Sequence, residues 1–444
     1  MAADAKRPLL WHAPSVNLSF MPDPYFQSLF ADRIGGAGYG KGTAIYKFEK
    51  IKRAKRKALA DHPERKLLDF GIGENDEMAP EVVRRRMAEE IHKPENRGYA
   101  DNGIPAFREA AARFMQREFG VALDPATEIN PCIGSKNALA MLPACFINPG
   151  DVTLMTVPGY PIAGTHTAFY GGVVYKLPLT AENEFLPDLD SIPADVRHQA
   201  KLLVLCYPNS PTGRTAPPEF YERAIAFAKQ HEIVIIQDAA HGILSYDRPP
   251  NSFLAMPGAR EVGVEVHSMS KAFDMIGWRI GWVAGHERII SAYGNVKDNF
   301  DSGQFIAIQK AAIAGLDDPA IPRRTRTKYQ RRLEKLVATL GRCGFQCTMP
   351  GGTYFLYAPA PRAFAAGRVV RGSPDPALGP RIDFENAEAV SQYLITEQSI
   401  CTVPWDDAGA FLRFSATYEA PTEADEDALM AETEARLKNI EPVF

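Results

Sequence analysis

This chain lacks the marks of a membrane anchor, a nucleic-acid grip and a disulfide scaffold. No apolar run approaches the ~18 residues that cross a bilayer as a helix. The start, Met1-Ala2-Ala3-Asp4-Ala5-Lys6-Arg7, leads into polar, proline-containing sequence without the apolar segment of a secretory signal, so the expected location is cytoplasmic. Lys and Arg number 50 against 54 Asp and Glu, a net charge of −4, with no dense basic block. That argues against nucleic acid or an anionic membrane as the main partner. Cysteine is sparse: Cys132, Cys145, Cys206, Cys343, Cys347 and Cys401, mostly in apolar contexts. They read as small buried hydrophobes in a reducing compartment. Cys343 and Cys347 have no His-x-x-x-His behind them, and no metal site is expected. Internal repeats and low-complexity tracts are also absent.

The 444 residues, 45% hydrophobic and 23% charged, suffice for a large core and more than one domain. Residues 1–45 read as an extended arm rich in Pro, Gly and aromatics, followed by a basic amphipathic helix over Lys47–Leu59. From about 75 to 305, helical periods alternate with short apolar strands: helices at Phe107–Phe119, Asn137–Phe146 and Glu219–Lys229, strands at Val152–Thr156 and Ile233–Asp238. Such alternation implies an α/β fold, a mostly parallel sheet with helices on both faces. Further helices are expected at Lys328–Leu340 and Glu385–Glu397, a strand at Thr353–Tyr357, and a surface insertion over 359–383.

Three strand-like runs end in polar clusters. Leu202-Leu203-Val204-Leu205 runs into Tyr207-Pro208-Asn209-Ser210-Pro211-Thr212-Gly213. Ile233 to Ile236 ends at Gln237-Asp238-Ala239-Ala240-His241. Val266-His267 ends at Ser268-Met269-Ser270-Lys271, with Gly277-Trp278-Arg279-Ile280-Gly281-Trp282 beyond. Ligands sit at the carboxyl ends of strands in an open parallel sheet. One rim therefore receives a lysine, an aspartate, an arginine and two serines. An amine beside an acid and a phosphate-type anion site is the equipment for pyridoxal 5'-phosphate (PLP).

Ser-x-Ser-Lys with Arg279 eight residues on, an Asp-x-Ala strand end and a Pro-Thr-Gly loop resembles the fold type I PLP-dependent aminotransferases, from about Tyr46 to Tyr418. The closer resemblance is to the LL-diaminopimelate aminotransferases. It rests on Gly71-Ile72-Gly73, Gly134-Ser135-Lys136, Pro158-Gly159-Tyr160-Pro161, the Lys271 segment and Phe411-Leu412-Arg413-Phe414-Ser415. The resemblance implies a large PLP domain at 75–305 with a seven-stranded-type, mostly parallel sheet. It also implies a smaller α+β domain from 46–74 plus 306–444, and a homodimer with shared active sites.

It further implies roles. Lys271 bonds to the cofactor aldehyde and shuttles the substrate Cα proton. Asp238 keeps the pyridine nitrogen protonated, and Tyr160 stacks on the ring. Ser135 and Lys136 open a helix whose amino end, with Ser268, Ser270 and Arg279, holds the phosphate. Tyr99 reaches the phosphate of the partner subunit. Arg413, costly inside an apolar strand unless paired, takes the substrate α-carboxylate. Gly73, Lys136 and Tyr46 contact substrate. The family places a side-chain amide within 295–304; Asn299 is named for the substrate contact, with Asn295, Asp301 and Gln304 open. Two residues depart from the pattern: Ser210 stands where Asn is usual, with Asn209 one place earlier, and His241 where Tyr is usual. Both usual residues hydrogen-bond the cofactor 3'-oxygen.

The implied reaction moves an amino group between LL-2,6-diaminopimelate and 2-oxoglutarate, with tetrahydrodipicolinate and glutamate on the other side, in lysine and cell-wall precursor synthesis. Alternatives are an aminotransferase for alanine, aspartate or aromatic amino acids, a PLP-dependent lyase or decarboxylase, and a non-catalytic PLP-binding regulator.

Overall fold

The structure, a computed structural model, describes residues 24–41, 47–366 and 381–444. Seven strands form the central sheet: β1 Ile129–Cys132, β2 Val152–Val157, β3 Val173–Pro178, β4 Ala200–Cys206, β5 Val234–Asp238, β6 Gly263–Ser268 and β7 Gly281–Gly285, in the order β1-β7-β6-β5-β4-β2-β3. The run β6-β5-β4-β2-β3 is parallel, while β7 is antiparallel to both β6 and β1. The middle strands are apolar on both sides because both sides are covered. Leu203, Leu205 and Ile235 pack with Phe107, Phe114, Phe220 and Ile225, whereas Leu202, Val204 and Ile236 pack with Leu139, Ala163 and Tyr293. The helices Pro105–Phe119 and Pro218–His231 bury faces at three- and four-residue spacing, with Pro at the first helical position. Gly120, in the left-handed region at φ 70°, ends the first of them.

Strand register places the loops. Cys206 pairs with Asp238, Asp238 with Val266, and Ser268 with Gly281. The loops carrying Asn209, His241 and Lys271 therefore leave the sheet at one edge. Strand β7, running the other way, starts there, so Arg279 arrives beside Ser268. Cys132 pairs with Gly281 and brings Gly134 to the same place.

A second layer holds the antiparallel sheet β9-β10-β8, with β8 Phe355–Pro359, β9 Val403–Trp405 and β10 Phe411–Ser415. The helices Ala320–Arg342, Ala387–Gln398 and Glu423–Leu437 belong to it. Leu68–Asp69 pairs parallel with Ile400–Cys401, which carries the chain from Phe70 onward past β10. No described helix is long and apolar enough to cross a membrane.

Several expectations change. Residues 24–41, taken by themselves, are not extended: a helical turn at Pro24–Gln27 and two 3-10 turns fold back, and the Gln27 amide donates to the Ala37 and Tyr39 carbonyls at 2.9 and 3.0 Å. The helix expected from Lys328 begins at Ala320, because Pro322 falls in its first turn, where no N–H partner is lost. The described parts of 359–383 are not a mere insertion. Ala363–Ala366 and Arg381–Asp383 form a sheet with Ile440–Val443, and Phe364 is buried.

A buried ionic cluster joins two helices of the second layer. Glu426 meets Arg331 at 2.8 Å, Arg332 at 2.8 Å and Lys335 at 3.1 Å. Arg332 also reaches Asp76 at 3.0 Å and three carbonyls. Burial alone would raise the Glu426 carboxyl, but the hydrogen bonds of these cations hold it at about 2. A depressed carboxyl stabilises the fold above its ordinary value of 4.5 and stops doing so as pH falls toward 2. Glu426→Gln should therefore lower the unfolding free energy by about 3 kcal/mol at neutral pH, as for a broken buried pair. In urea titrations the gap from wild type should be constant above the ordinary carboxyl range and close as pH approaches 2.

Candidate active site

The edge defined by β4, β5 and β6 gathers the ionisable groups. Asp238, last in β5, is 6% exposed and accepts from the Ala240 N–H at 3.0 Å. Burial pushes its carboxyl up to about 6, against the Ala240 hydrogen bond and the charges of His267 and Lys271. Lys271 lies in the four-residue helix Met269–Ala272, whose first turn Ser268 caps by accepting from the Ser270 N–H at 3.1 Å. Its Nζ donates to the Gly73 carbonyl at 3.3 Å and lies 5.6 Å from the Tyr354 ring centroid. Tyr354, fully buried, donates to the same carbonyl at 2.8 Å.

Two buried side-chain nitrogens at neighbouring strand ends lack partners among the described residues. Asn209 accepts through Oδ1 from the Thr212 N–H and hydroxyl at 3.1 and 2.8 Å, while its Nδ2 has none. His241 packs edge-on to Tyr354, 5.1 Å between centroids, and its Nδ1 has none. Burial, then the charges of Lys271 and Arg413, push the imidazole well below its usual range, so it is neutral at pH 7. Leaving buried polar atoms unbonded is costly unless something else meets them.

Arg279 and Gly134 make a cup. Gly134 has φ 75°, and a Cβ there would collide with the Arg279 guanidinium. Arg279, itself at φ 55°, donates to the Ile276 carbonyl at 2.9 Å and the Ser270 hydroxyl at 3.4 Å. Ser135 and Lys136 open the adjoining helix Ser135–Met141.

Arg413, in the middle of β10, is 6% exposed. Its guanidinium carbon lies 4.2 Å from the Phe355 ring and 5.6 Å from the Trp405 ring. Nη2 meets the Gly71 carbonyl at 3.2 Å, and Nε is buried without a partner. Burial lowers its pKa to about 10; its ionisable neighbours are Tyr354 and Cys401, not a carboxylate. A Cβ at Gly73 would stand 3.5 Å from Phe355 and 3.8 Å from Arg413. The rim thus offers an amine, a buried acid and two arginines bonded to neutral oxygens, a layout for a doubly anionic ligand and amine chemistry.

One chain brings together Lys271, Asp238, His241, Asn209, Ser268, Ser270, Arg279, Gly73 and Arg413. Ser210 is half-buried in the Asn209 loop; Lys136 and Tyr160 are exposed at the ends of the β1 and β2 connections. Tyr99 is 85% exposed. Asn299 does not reach the site within one chain: it is exposed, and its amide donates to its own helix at Asn295. Of the 295–304 candidates it is Gln304 that touches the site segment, donating to the Trp278 and Arg279 carbonyls at 2.8 and 2.5 Å. Tyr46 lies outside the described residues. Tyr354 and Phe355 escape a sequence reading because an aromatic pair entering a strand looks like core. The role of Gly73 as an acceptor is equally invisible there.

The raised Asp238 carboxyl makes a signed prediction for the chain without ligand. The ionised acid costs stability as pH rises through about 6, an effect absent below its ordinary value of 3.8. Asp238→Asn should stabilise the ligand-free chain by about 3 kcal/mol at pH 8, and by nothing near pH 3, in denaturant titrations. No gain at pH 8 would mean that Asp238 already has a full cationic partner.

Residues 65–427 match the family model for aminotransferase class I and II. The chain is 52% identical over 431 residues to the LL-diaminopimelate aminotransferase of Methanocaldococcus jannaschii, covering 95% of this chain and 100% of that one. It is 50% identical to the protein of the same name from Methanococcus maripaludis, with equal coverage. Among solved structures, substrate-bound BacF from Bacillus subtilis superposes with a TM-score of 0.79 at 29% identity, over 93% of this chain and 98% of BacF. On these likenesses the chain belongs to the class I and II aminotransferases of fold type I, and among them to the LL-diaminopimelate aminotransferase family.

Proposed function

We propose that this chain is a PLP-dependent aminotransferase that exchanges an amino group between LL-2,6-diaminopimelate and 2-oxoglutarate, or glutamate and tetrahydrodipicolinate in reverse, in lysine and cell-wall precursor synthesis. The observation that carries the reading is the meeting of Lys271 with two arginines bonded to neutral oxygens, Arg279 and Arg413. The names of the two methanogen relatives support the substrate.

The residues present fit the cofactor. The Gly134–Arg279 cup, with Ser135, Lys136, Ser268 and Ser270, suits a phosphate. Asn209 Nδ2, and His241 Nδ1 in the tautomer that carries its proton there, suit an anionic ring oxygen. Asp238, raised by burial, suits a protonated ring nitrogen. Tyr160 is assigned to the ring face. When bound, PLP supplies an electron sink that stabilises negative charge at the substrate Cα and carries the amino group.

The protein does the rest. Arg413 grips the α-carboxylate through its fork, held flat by Phe355 and Trp405. Lys271 Nζ, steered by the Gly73 carbonyl, takes and returns the Cα proton. Neutral His241 donates a hydrogen bond without adding positive charge beside Lys271 and Arg413. Asn209 takes the place that Ser210 is too short to fill. The donor leaves as a 2-oxo acid before the acceptor enters.

The same proposal makes the protein a cytoplasmic homodimer, with 75–305 as the PLP domain and 46–74 plus 306–444 as the small domain. In the dimer the exposed Tyr99 and Asn299 serve the partner's site, and Tyr46 contacts substrate.

A donor screen with 2-oxoglutarate should place LL-diaminopimelate first, ahead of the meso isomer, alanine, aspartate and aromatic amino acids. Borohydride reduction with PLP should put the phosphopyridoxyl group on Lys271. Preference for another donor refutes the substrate, and labelling of another lysine refutes the site. Mixing inactive Lys271→Ala with inactive Tyr99→Phe should restore activity through hybrid dimers that hold one intact site. Absence of any regain on mixing counts against shared sites.

A further inference from the structure

We infer that Asn75 is a positioning residue for Lys271, acting from a strap, Gly71–Asp76, that is locked at its far end to the helix Ala320–Arg342. The inference rests on Lys271 as the reacting amine.

The helix that carries Lys271 has four residues, too few to satisfy its own last carbonyls. The Asn75 amide does so from 196 positions away, with Nδ2 donating to the Lys271 carbonyl at 2.7 Å. The same Nδ2 donates to Asp274 Oδ1 at 2.5 Å. Asp274 sits in the left-handed region at φ 53°, where a residue other than glycine must be held in place. It is 5% exposed. One amide therefore pins both the main chain of Lys271 and the turn just after it.

The strap also meets Arg413, Lys271, Tyr354 and Thr417. Gly71 accepts from Arg413, and Gly73 accepts from both Lys271 Nζ and Tyr354. Thr417, just past β10, donates to the Ile72 carbonyl at 2.9 Å. Asp76 is clamped by Lys328 and Arg332, each at 3.0 Å, both largely buried on the helix Ala320–Arg342. Asn75 is thus set between a fixed ionic anchor and the amine. A lysine side chain swings on a flexible four-carbon stem. Fixing its main chain limits where Nζ can go, and small displacements of a reacting group cost rate.

A purely structural role is the competing explanation, with Asn75 present only to satisfy the buried Asp274. The full-length PLP-loaded protein separates the two. Asn75→Ala should lower kcat about tenfold or more while KM for the amino donor stays within about twofold, because Arg413 is untouched. Asn75→Ala combined with Asp274→Ala removes the group in need of a partner. If Asn75 acts through the Lys271 carbonyl, the double variant stays as slow as the single. Return of the double variant to the wild-type kcat overturns the inference. Should Asn75→Ala fold poorly, Asn75→Ser, which keeps a shorter donor, should give an intermediate kcat, and a wild-type value there is equally fatal.

A second readout needs no turnover. In the cofactor-free full-length chain, reductive methylation mapped by peptide mass should modify Lys271 at a different rate in Asn75→Ala than in wild type, with the exposed Lys136 unchanged. Equal Lys271 rates contradict the inference. Failure of wild type to transfer amino groups or to bond PLP at Lys271 would sink the functional reading instead, and the methylation comparison would still report on Asn75.

Discussion

Asp238 pairs with Cys206 on one side and Val266 on the other, and the site depends on that register. The three residues lie at or near the carboxyl ends of parallel strands, so their loops depart together. A slip of one residue would turn each side chain to the opposite face, because side chains alternate along a strand. The slip is opposed by the core. Leu203 and Leu205 fill one helical layer, Leu202 and Val204 the other, and close packing on both faces resists the exchange of one set of shapes for the other. The packing of a hydrophobic sheet thereby sets the spacing of a polar cluster at its rim.

That cluster is built against stability. Asp238 is buried with its carboxyl raised, His241 is held neutral, and Arg413 is buried with no carboxylate partner among the described residues. Asn209 and His241 each leave a side-chain nitrogen unbonded among the described residues. In a structural network such groups would be paired, as Glu426 is with Arg331, Arg332 and Lys335. Unlike Glu426, these rim groups meet no opposite charge strong enough to offset their burial. The ionic cluster also has a share in the site, since Arg332 anchors Asp76 at the end of the strap beside Lys271.

The position of the amine is set from two directions. The sheet brings the main chain of Lys271 to the rim, and the strap from Gly71 to Asp76 aims its side chain. The strap arrives because Leu68–Asp69 pairs with Ile400–Cys401 and because Ser415 donates to the Phe70 carbonyl at 2.7 Å. Arg413, Lys271 and the ionic cluster therefore meet through six consecutive residues far from all three in sequence.

The strand ends, the sheet type and the arrival of Lys271, Asp238 and Arg279 at one rim were legible in the sequence, because each depends on local periodicity and on residue types at short spacing. The amphipathic helices were legible for the same reason, with ends misjudged where Pro322 interrupts the pattern. Other points could be decided only by the tertiary structure: that Gln304 rather than Asn299 touches the site segment, that Asn209 Nδ2 meets no described partner beside Ser210, that Tyr354 and Lys271 share the Gly73 carbonyl, and that Ala363–Ala366 belongs to a sheet. In each case several donors or segments compete for one partner across long sequence separations. The winner is set by packing, which leaves no periodic trace in the chain.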